Sequence, residues 1–171
     1  MRIFFLVFFL SSVLCATASA ATDGEVKVGG LLRETTLDGL NGEAQKFSDF
    51  KGKPLIINVW TSWCGPCRAE MGSLERLAQR YSGKQINIIG ISTDDYRDKA
   101  LALIQETGIS FDNFIDHKLL LENMLGADTI PLTILVDADG RVLAKIRGAH
   151  QWDSASAVNA IEATFQIKLP Q

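Results

Sequence analysis

Apolar residues cluster along the chain with two spacings, one typical of buried strands and one typical of helices. Residues 55–60 and 86–92 are nearly continuous apolar runs, which predict two strands that are buried on both faces. Apolar residues recur at helical spacing over 96–107, and Gly108 marks the end of that helix. With a further helix between the two strands, this order predicts a parallel βαβ unit, whose ligand chemistry belongs at the carboxyl ends of its strands.

The helix that follows the first strand has an apolar face and a polar face. We predict that it begins around Cys64 and ends near residues 82–83. The apolar face is formed by positions at helical spacing, namely Met71, Leu74, Leu77, Ala78 and Tyr81. The pattern assigns the opposite, polar face to Glu70, Glu75, Arg76 and Arg80.

Shorter elements complete one α/β domain. Turn dipeptides at 38–39 and 41–42 predict an N-terminal hairpin between residues 31 and 50, on the edge of a larger sheet. The Ile130-Pro131 pair marks a break before the last strands. The remaining predicted elements are a helix at 118–125, strands at 132–137 and 141–146 joined by a turn, and a helix at 154–165.

Composition limits the classes of function. The chain has 171 residues, of which 47% are apolar, which suffices for one sizeable core but not for two full domains. Its 17 basic and 20 acidic side chains give a net charge of −3, without the positive excess that binding to phosphate backbones requires. We therefore expect one domain and no nucleic-acid partner.

The first residues have the three parts of a secretory signal peptide. A positively charged start precedes an uncharged apolar run at 3–14, and small residues at 18–20 provide the spacing that signal peptidase recognises. The alternative is an uncleaved membrane anchor, but the run is shorter than the roughly 20 residues that cross a bilayer. We predict that residues 1–20 are a signal peptide cleaved near Ala20 and that 21–171 form a single exported domain.

Cleavage would leave two cysteines in the mature chain. It would remove Cys15 and leave Cys64 and Cys67 in a compartment where thiols are oxidised. A disulfide that closes so short a loop removes little entropy from the unfolded chain, so it is a poor structural staple. Reversible redox chemistry is the better explanation for this pair.

The two cysteines lie in the motif WCGPC, where a predicted strand meets a predicted helix. At such a junction Cys64 meets unpaired N–H groups and the positive end of the helix dipole, which favour a thiolate. We predict that Cys64 attacks a substrate disulfide and that Cys67 resolves the mixed disulfide. Gly65 and Pro66 fix the turn between them, and Pro66 is tolerated early in the helix. This chemistry uses the two thiols alone, so we expect no cofactor.

Several segments carry a family resemblance. They are FSDFKGKP at 47–54, the strand at 55–60 with the WCGPCRAE segment after it, IPLT at 130–133, and DADG at 137–140 with Gly148 behind it. These segments resemble the thioredoxin superfamily, and within it the exported TlpA/ResA/CcmG-like thiol-disulfide oxidoreductases. The resemblance covers roughly residues 28–165. It implies a thioredoxin fold, a central mixed sheet with flanking helices, with an added N-terminal hairpin.

The resemblance also implies roles for residues outside the motif. Pro131 would be the cis proline that faces the cysteine pair, and the main chain of Ile130 would pair with the substrate strand. Thioredoxins carry a buried aspartate six residues before the first cysteine, whereas this chain has Asn58 there, which cannot accept a proton. Glu70 matches a glutamate of the TlpA-like group and would take the proton of Cys67. The residues alone leave open that Glu70 only complements the helix dipole.

Aromatic and charged residues around the motif have different expected roles. Trp60 ends a buried strand and is expected in the core, whereas Trp63 is expected to form an exposed apolar rim for substrate docking. Arg68 either helps to hold Cys64 as a thiolate or is a solvated helix charge. The residues expected in loops or at the surface, without a role in the chemistry, are His117, His150 and Trp152.

These features predict an exported thiol-disulfide oxidoreductase that acts as a reductant. The Gly65-Pro66 pair resembles that of reducing thioredoxins. The family resemblance implies periplasmic protein substrates, such as apocytochrome c or metal-site assembly proteins. It also implies a membrane thiol carrier of the DsbD/CcdA kind as electron donor. We expect the protein to be a monomer.

Two other classes of function remain open. A copper or zinc carrier would use Cys64, Cys67 and a histidine, and thiolates suit copper(I). However, the copper-delivery relatives on this fold have three residues between their cysteines, whereas this chain has two. A thiol peroxidase would use Thr61 in a T-x-x-C motif, but Ile57 stands where that motif has proline. We therefore expect no metal site.

Overall fold

Strands and helices alternate along residues 24–170, the part of the chain that the computed structural model describes. The predicted signal peptide at 1–20 lies outside the described residues. The strands are β1 (Thr36–Gly39), β2 (Gln45–Lys46), β3 (Leu55–Trp60), β4 (Asn87–Ser92), β5 (Asn113–Ile115), β6 (Leu132–Val136) and β7 (Val142–Arg147). The helices are α1 (Gly65–Tyr81), α2 (Arg97–Thr107), α3 (Leu120–Leu125) and α4 (Ala155–Phe165), with a 3₁₀ helix at Phe47–Phe50.

All seven strands form one mixed sheet in the order β2-β1-β5-β4-β3-β6-β7. Strands β3, β4 and β5 are parallel, whereas β6 runs antiparallel to β3 and β7 antiparallel to β6. The hairpin of β1 and β2 continues the sheet at its other edge, because β1 pairs with β5. The predicted central mixed sheet with flanking helices and an added N-terminal hairpin is confirmed.

The central strand β3 directs one of its faces toward α1. All of its residues are buried, as the nearly continuous apolar run predicts. Successive side chains of a strand point to opposite faces. Ile56 and Trp60 pack in the same apolar cluster as the buried face of α1, so Asn58 between them points to that face as well. The only polar side chain of β3 is therefore directed at the helix that carries the cysteines.

Two apolar clusters cover the two faces of the sheet. One cluster joins the sheet to α1, α2 and α4, with Leu74 and Leu77 of α1 fully buried in it. The other lies under α3, the 3₁₀ helix and the segment that contains Val26. Among the described residues, no helix has the length and apolar character needed to cross a membrane.

The apolar pattern does not predict strand β5, because this strand has only three residues and begins with asparagine. Asn113 is buried and accepts a hydrogen bond from Trp60 Nε1 over 3.0 Å. Gly90 of β4 makes this contact possible, since a Cβ at that position would lie 1.9 Å from Asn113 Oδ1. The strand depends on pairing across the chain, which local sequence does not reveal.

Candidate active site

The cysteine pair lies where the central strand β3 meets α1. Cys64 is the N-cap residue of α1, and Cys67 lies in the first turn of that helix. Their sulfur atoms form a disulfide with an S–S distance of 2.06 Å. Cys64 is 6% exposed and Cys67 is fully buried, as expected from its position further into the helix. Cys64 is therefore the sulfur that another molecule reaches first.

The amino end of α1 supplies a hydrogen bond to the outer sulfur. The main-chain N–H of Cys67 donates to Cys64 Sγ over 3.2 Å. Gly65 is the first residue of the helix and Pro66 is the second. Main-chain N–H groups in the first turn of a helix have no helical acceptor, so the lack of an N–H in Pro66 costs no hydrogen bond. In a reduced protein, this N–H and the positive end of the helix dipole favour a thiolate on Cys64.

A buried carboxylate anchors the connection between β3 and α1. Asp94, which follows the end of β4, accepts hydrogen bonds from Ser62 N over 2.8 Å and from Ser62 Oγ over 2.7 Å. It also accepts one from Ser92 Oγ over 2.8 Å. The sequence analysis did not identify Asp94. Its position at the carboxyl end of the neighbouring parallel strand was the available signal.

The Ile130-Pro131 peptide bond lies at the same edge of the sheet as the cysteines. It is cis, as the family resemblance implies. Pro131 directly precedes β6, whose first residue, Leu132, pairs with Val59 near the carboxyl end of β3. The Pro131 carbonyl accepts a hydrogen bond from Gly148 N over 2.9 Å, which ties it to the loop after β7.

Glu70 lies on the buried face of α1, not on its polar face. The assignment of Glu70 and Glu75 to a solvent-facing side is wrong, because their side chains are 1% and 7% exposed. Residues three apart on a helix are neighbours on one face, and this spacing places Glu70 beside Cys67. Glu75 instead accepts hydrogen bonds from the main chain and hydroxyl of Ser110.

Three N–H groups donate to the buried carboxylate of Glu70. Asn58 Nδ2 donates to Oε1 over 2.8 Å. The main-chain N–H of His150 and the indole Nε1 of Trp152 both donate to Oε2, over 3.0 and 2.9 Å. Asn58 Nδ2 also lies 3.0 Å from Thr133 Oγ1 on β6. The asparagine that replaces the thioredoxin aspartate therefore acts as a donor to the carboxylate on the neighbouring helix.

Burial and hydrogen bonding act on the pKa of Glu70 in opposite directions. Burial of the carboxylate is the largest effect and raises the pKa above its ordinary value of 4.5. The donors Trp152, Asn58 and His150 N, and the nearby charge of the His150 side chain, each lower it, and the net pKa remains raised. A carboxylate with a raised pKa is a stronger proton acceptor than an ordinary glutamate.

Trp152 is a site residue that the sequence analysis missed. It lies in the loop after β7, as expected, but it is 3% exposed and so is not a surface residue. His150, in the same loop, packs its ring against the indole with a centroid distance of 5.3 Å. The sequence offered little signal, because Trp152 and Glu70 are 82 residues apart.

The tryptophans near the motif differ in exposure, as the sequence suggested. Trp63 is 77% exposed directly before Cys64, whereas Trp60 is buried in the core. Arg68 forms an ion pair with Glu106 on α2, with both side chains largely in solvent. Arg68 is thus placed as a solvated helix charge.

A metal carrier, one of the alternative functions, would need a cluster of metal ligands. Within residues 24–170, no three histidine, cysteine, aspartate or glutamate side chains converge as a metal ion would require. The chemical groups at this site are the Cys64–Cys67 disulfide and the buried carboxylate of Glu70.

Fold and site together define a class of protein. The mixed sheet has the strand order of a thioredoxin fold. The disulfide joins two cysteines separated by two residues, at the amino end of the helix that follows the central strand. With a cis proline at the same edge of the sheet, this is a thioredoxin fold with a redox disulfide. Thiol-disulfide exchange is the chemistry that such a pair performs.

Comparison with known proteins agrees with this class. The family model described as Redoxin matches residues 27–161. Thiol-disulfide oxidoreductase ResA from Geobacillus thermodenitrificans is 28% identical over 123 residues, which cover 72% of this chain and 71% of ResA. A solved structure assigned as thiol:disulfide interchange protein DsbE from Chlorobium tepidum has a TM-score of 0.74 at 24% identity, over 82% of this chain and 99% of that one. A secreted thiol-disulfide isomerase from Corynebacterium glutamicum has a TM-score of 0.66 at 27% identity, over 77% and 84%.

The chain belongs to the Redoxin family. Within the thioredoxin superfamily it is similar to the ResA and CcmG-like proteins, as the resemblance of its motifs indicates. It is a thiol-disulfide oxidoreductase, with the Cys64–Cys67 disulfide as its redox group.

Proposed function

We propose that the protein is exported and reduces disulfides in other proteins through a cycle of Cys64 and Cys67. One observation carries this proposal, namely that one sulfur lies at the tip of α1 while its partner is fully buried one turn further in. The outer sulfur is the one that meets a substrate. The buried sulfur reacts only within the molecule, as a resolving thiol must.

In the first step, the Cys64 thiolate attacks one sulfur of a substrate disulfide. The substrate S–S bond breaks and a mixed disulfide forms between the substrate and Cys64. The released substrate sulfur takes up a proton from solvent. The N–H of Cys67, 3.2 Å from Cys64 Sγ in the disulfide, supports the negative charge on the attacking sulfur.

In the second step, Cys67 transfers its proton to Glu70 and attacks Cys64 Sγ. The mixed disulfide breaks, the second substrate sulfur leaves as a thiolate and is protonated, and the Cys64–Cys67 disulfide forms. Glu70 returns its proton to solvent. The substrate gains two electrons and two protons, and the protein is left oxidised.

Burial of Glu70 suits this proton transfer. An ordinary cysteine thiol has a pKa of about 8.5, far above that of an ordinary glutamate. Burial raises the pKa of Glu70 and so narrows the difference between the two groups. A smaller difference makes transfer from thiol to carboxylate less unfavourable. The raised pKa of Glu70 therefore favours a role as base over a role in complementing the helix dipole.

The substrate docks beside the cis proline and the exposed tryptophan. The main chain of Ile130 pairs with an extended substrate segment, and Pro131 faces the sulfur atoms. Trp63 provides the exposed apolar rim, since its side chain is 77% exposed. Gly65 and Pro66 form the turn beside Cys64 that the substrate meets, and no other described part of the fold lies within 4 Å of a Cβ placed at Gly65.

We place the protein outside the cytoplasm, as a monomeric reductant. Residues 1–20 have the pattern of a cleaved signal peptide, and the Corynebacterium glutamicum relative is a secreted protein. The substrates are disulfides of periplasmic proteins, such as apocytochrome c or metal-site assembly proteins. A reductant in an oxidising compartment needs a source of electrons. A membrane thiol carrier of the DsbD/CcdA kind fits this requirement.

Trapping of mixed disulfides tests the proposal. A Cys67→Ser variant keeps the attacking sulfur and loses the resolving one, so substrates should remain linked to Cys64. The linked proteins are separated on non-reducing gels and the bonded cysteines are identified by mass spectrometry. Cys64→Ser is the matched control, and because Cys67 is fully buried it should trap no partner. Equal trapping by the two variants, or none by either, would contradict the proposed roles.

A further inference from the structure

Residues 148–152, the first part of the loop between β7 and α4, connect the cis proline to the buried carboxylate. At its start, Gly148 N donates to the Pro131 carbonyl over 2.9 Å. Two residues later, the main-chain N–H of His150 donates to Glu70 Oε2 over 3.0 Å. This loop therefore contacts two groups of the site although none of its residues belongs to the cysteine motif.

Trp152, the last residue of this segment, is fixed by its main chain as well as by its indole. Its Nε1 donates to Glu70 Oε2 over 2.9 Å, and its main-chain N–H donates to Ser73 Oγ over 3.1 Å. Ser73 is 2% exposed, and its hydroxyl lies 2.7 Å from the Glu70 carbonyl oxygen and 3.2 Å from that of His150. Trp152 is thus held against the turn of α1 that carries Glu70.

The donors divide unequally between the two oxygens of Glu70. A carboxylate oxygen accepts about two hydrogen bonds. His150 N and Trp152 Nε1 both donate to Oε2, which fills its capacity. Among the described residues, Oε1 accepts one hydrogen bond, from Asn58, and has capacity for one more. An incoming proton therefore has one place to go, which is Oε1.

We propose that Trp152 is a positioning residue whose indole saturates Oε2 of Glu70, stabilises the carboxylate and leaves Oε1 to receive the proton of Cys67. This inference rests on the proposed role of Glu70 as base. Trp152 donates hydrogen bonds to Glu70 and Ser73, and its effect on the proton transfer is exerted through Glu70. Because an indole does not titrate, any pH dependence of this contact comes from the protonation of Glu70.

The groups that face Glu70 make this assignment testable. Its own helix contributes Cys67, and the 148–152 loop contributes the imidazole of His150, whose positive charge lowers the pKa of Glu70. From β3 and β6 the neighbouring polar groups are the neutral Asn58 and Thr133. Among the effects that oppose burial of the carboxylate, the hydrogen bond from the indole is the largest.

Removal of the indole N–H isolates the contribution of its hydrogen bond to the pKa of Glu70. Trp152→Phe keeps an aromatic ring and removes the N–H, so the carboxylate loses a donor while burial still disfavours its charge. We expect the pKa of Glu70 to rise by about one unit, the size of a hydrogen bond to a charged group. The measurement is a carbon-13 NMR titration of the glutamate carboxyl groups in the oxidised protein, in which the cysteines do not titrate.

Trp60→Phe is the matched control. Trp60 is also buried, and its Nε1 also donates one hydrogen bond over 3.0 Å, to Asn113 and not to Glu70. We expect this variant to lose stability as Trp152→Phe does and to leave the pKa of Glu70 where it is in the wild type. If Trp152→Phe does not fold, Ser73→Ala loosens the same loop and is expected to raise the pKa of Glu70 by a smaller amount.

The possible results separate this inference from the function on which it rests. An unchanged pKa of Glu70 in Trp152→Phe, or an equal rise in Trp60→Phe, overturns the role of Trp152 and leaves Glu70 as base intact. A raised pKa should shift the acid limb of the pH–rate profile for disulfide reduction upward by the same amount. A raised pKa with an unmoved rate profile overturns the assignment of Glu70 as base, and the role of Trp152 with it.

Discussion

Glu70 shows how one residue changes meaning between sequence and structure. A glutamate early in a helix is commonly a surface charge near the dipole. Here its carboxylate is 1% exposed and receives N–H groups from a strand, a loop and an indole. A charge placed in such surroundings lowers stability unless its hydrogen bonds are made, so its presence on the apolar face points to a use in chemistry.

Replacement of the Glu70 carboxylate by a neutral amide tests whether Glu70 accepts the proton of Cys67. Glu70→Gln keeps the shape of the side chain but cannot take the proton of Cys67, so we expect disulfide reduction near pH 7 to slow by about 100-fold. The wild-type rate should fall as pH drops through the pKa of Glu70, because a protonated carboxyl accepts no further proton. That fall lies above pH 4.5, since burial raises the pKa of Glu70. The variant should lose this limb of the profile.

Glu75→Gln controls for the loss of a buried carboxylate from the same helix. Glu75 is 7% exposed and bonds to Ser110 rather than to the cysteine site. Stopped-flow reduction of a small aromatic disulfide over a range of pH compares the two variants. Identical profiles for Glu70→Gln and the wild type would rule out Glu70 as the base.

Among single residues of the site, the sequence identified those that lie in a short motif. It did not identify those whose role depends on contacts between distant parts of the chain. Cys64 and Cys67 follow from their spacing and their position after a strand. Glu70 followed only from the family resemblance. Trp152 was missed because its partner Glu70 lies 82 residues away. Asp94 was missed because its contact with the cysteine loop is to Ser62, 32 residues away, although its position after a parallel strand was a signal.

The elements of the fold were predicted where their burial is uniform or strictly periodic. Strand β3 has the predicted bounds, because a central strand covered on both faces is apolar throughout. Helix α1 has the predicted extent, but its faces were partly misassigned, since two of its buried positions are glutamates. The short β5 has too few residues for a pattern. Local sequence does not show which polar residues are buried, or which strand or helix they pack against.

The joint between β3 and α1, residues 61–64, contributes to the stability of the fold, and this contribution can be tested. Asp94 accepts three hydrogen bonds, two of them from Ser62 in this joint. Asp94→Asn replaces an acceptor oxygen by an N–H group that faces a donor. We expect the free energy of unfolding to fall by about 1–3 kcal/mol, as for other buried polar groups left without a partner. Urea denaturation followed by tryptophan fluorescence measures this change.

The neighbouring Asp95 supplies the control for this substitution. It is exposed, so Asp95→Asn should change the free energy of unfolding by less than about 0.5 kcal/mol. If both variants unfold at the same urea concentration as the wild type, the hydrogen bonds of Asp94 do not hold the joint together.

At the scale of the whole molecule, the site is assembled by the sheet. The carboxyl end of β3 leads to the cysteines, and β6 begins beside it after the cis proline. Helix α1 lays Glu70 over Asn58 of β3, and the loop after β7 returns to cover the carboxylate. Four segments that are distant in sequence thus meet around one buried carboxylate, three residues after the buried Cys67. The fold class predicted from the sequence was sufficient to locate the cysteines and insufficient to reveal this arrangement.

The proposed function depends above all on the transfer of electrons from Cys64 and Cys67 to protein disulfides. The most direct measurement is the reduction of insulin, with dithiothreitol as the source of electrons, followed by the turbidity of the released chains. We expect the wild-type protein to shorten the time to precipitation and Cys64→Ser to abolish this effect. Precipitation no faster with the wild-type protein than without it, or equally fast with Cys64→Ser, would rule out electron transfer by the cysteine pair.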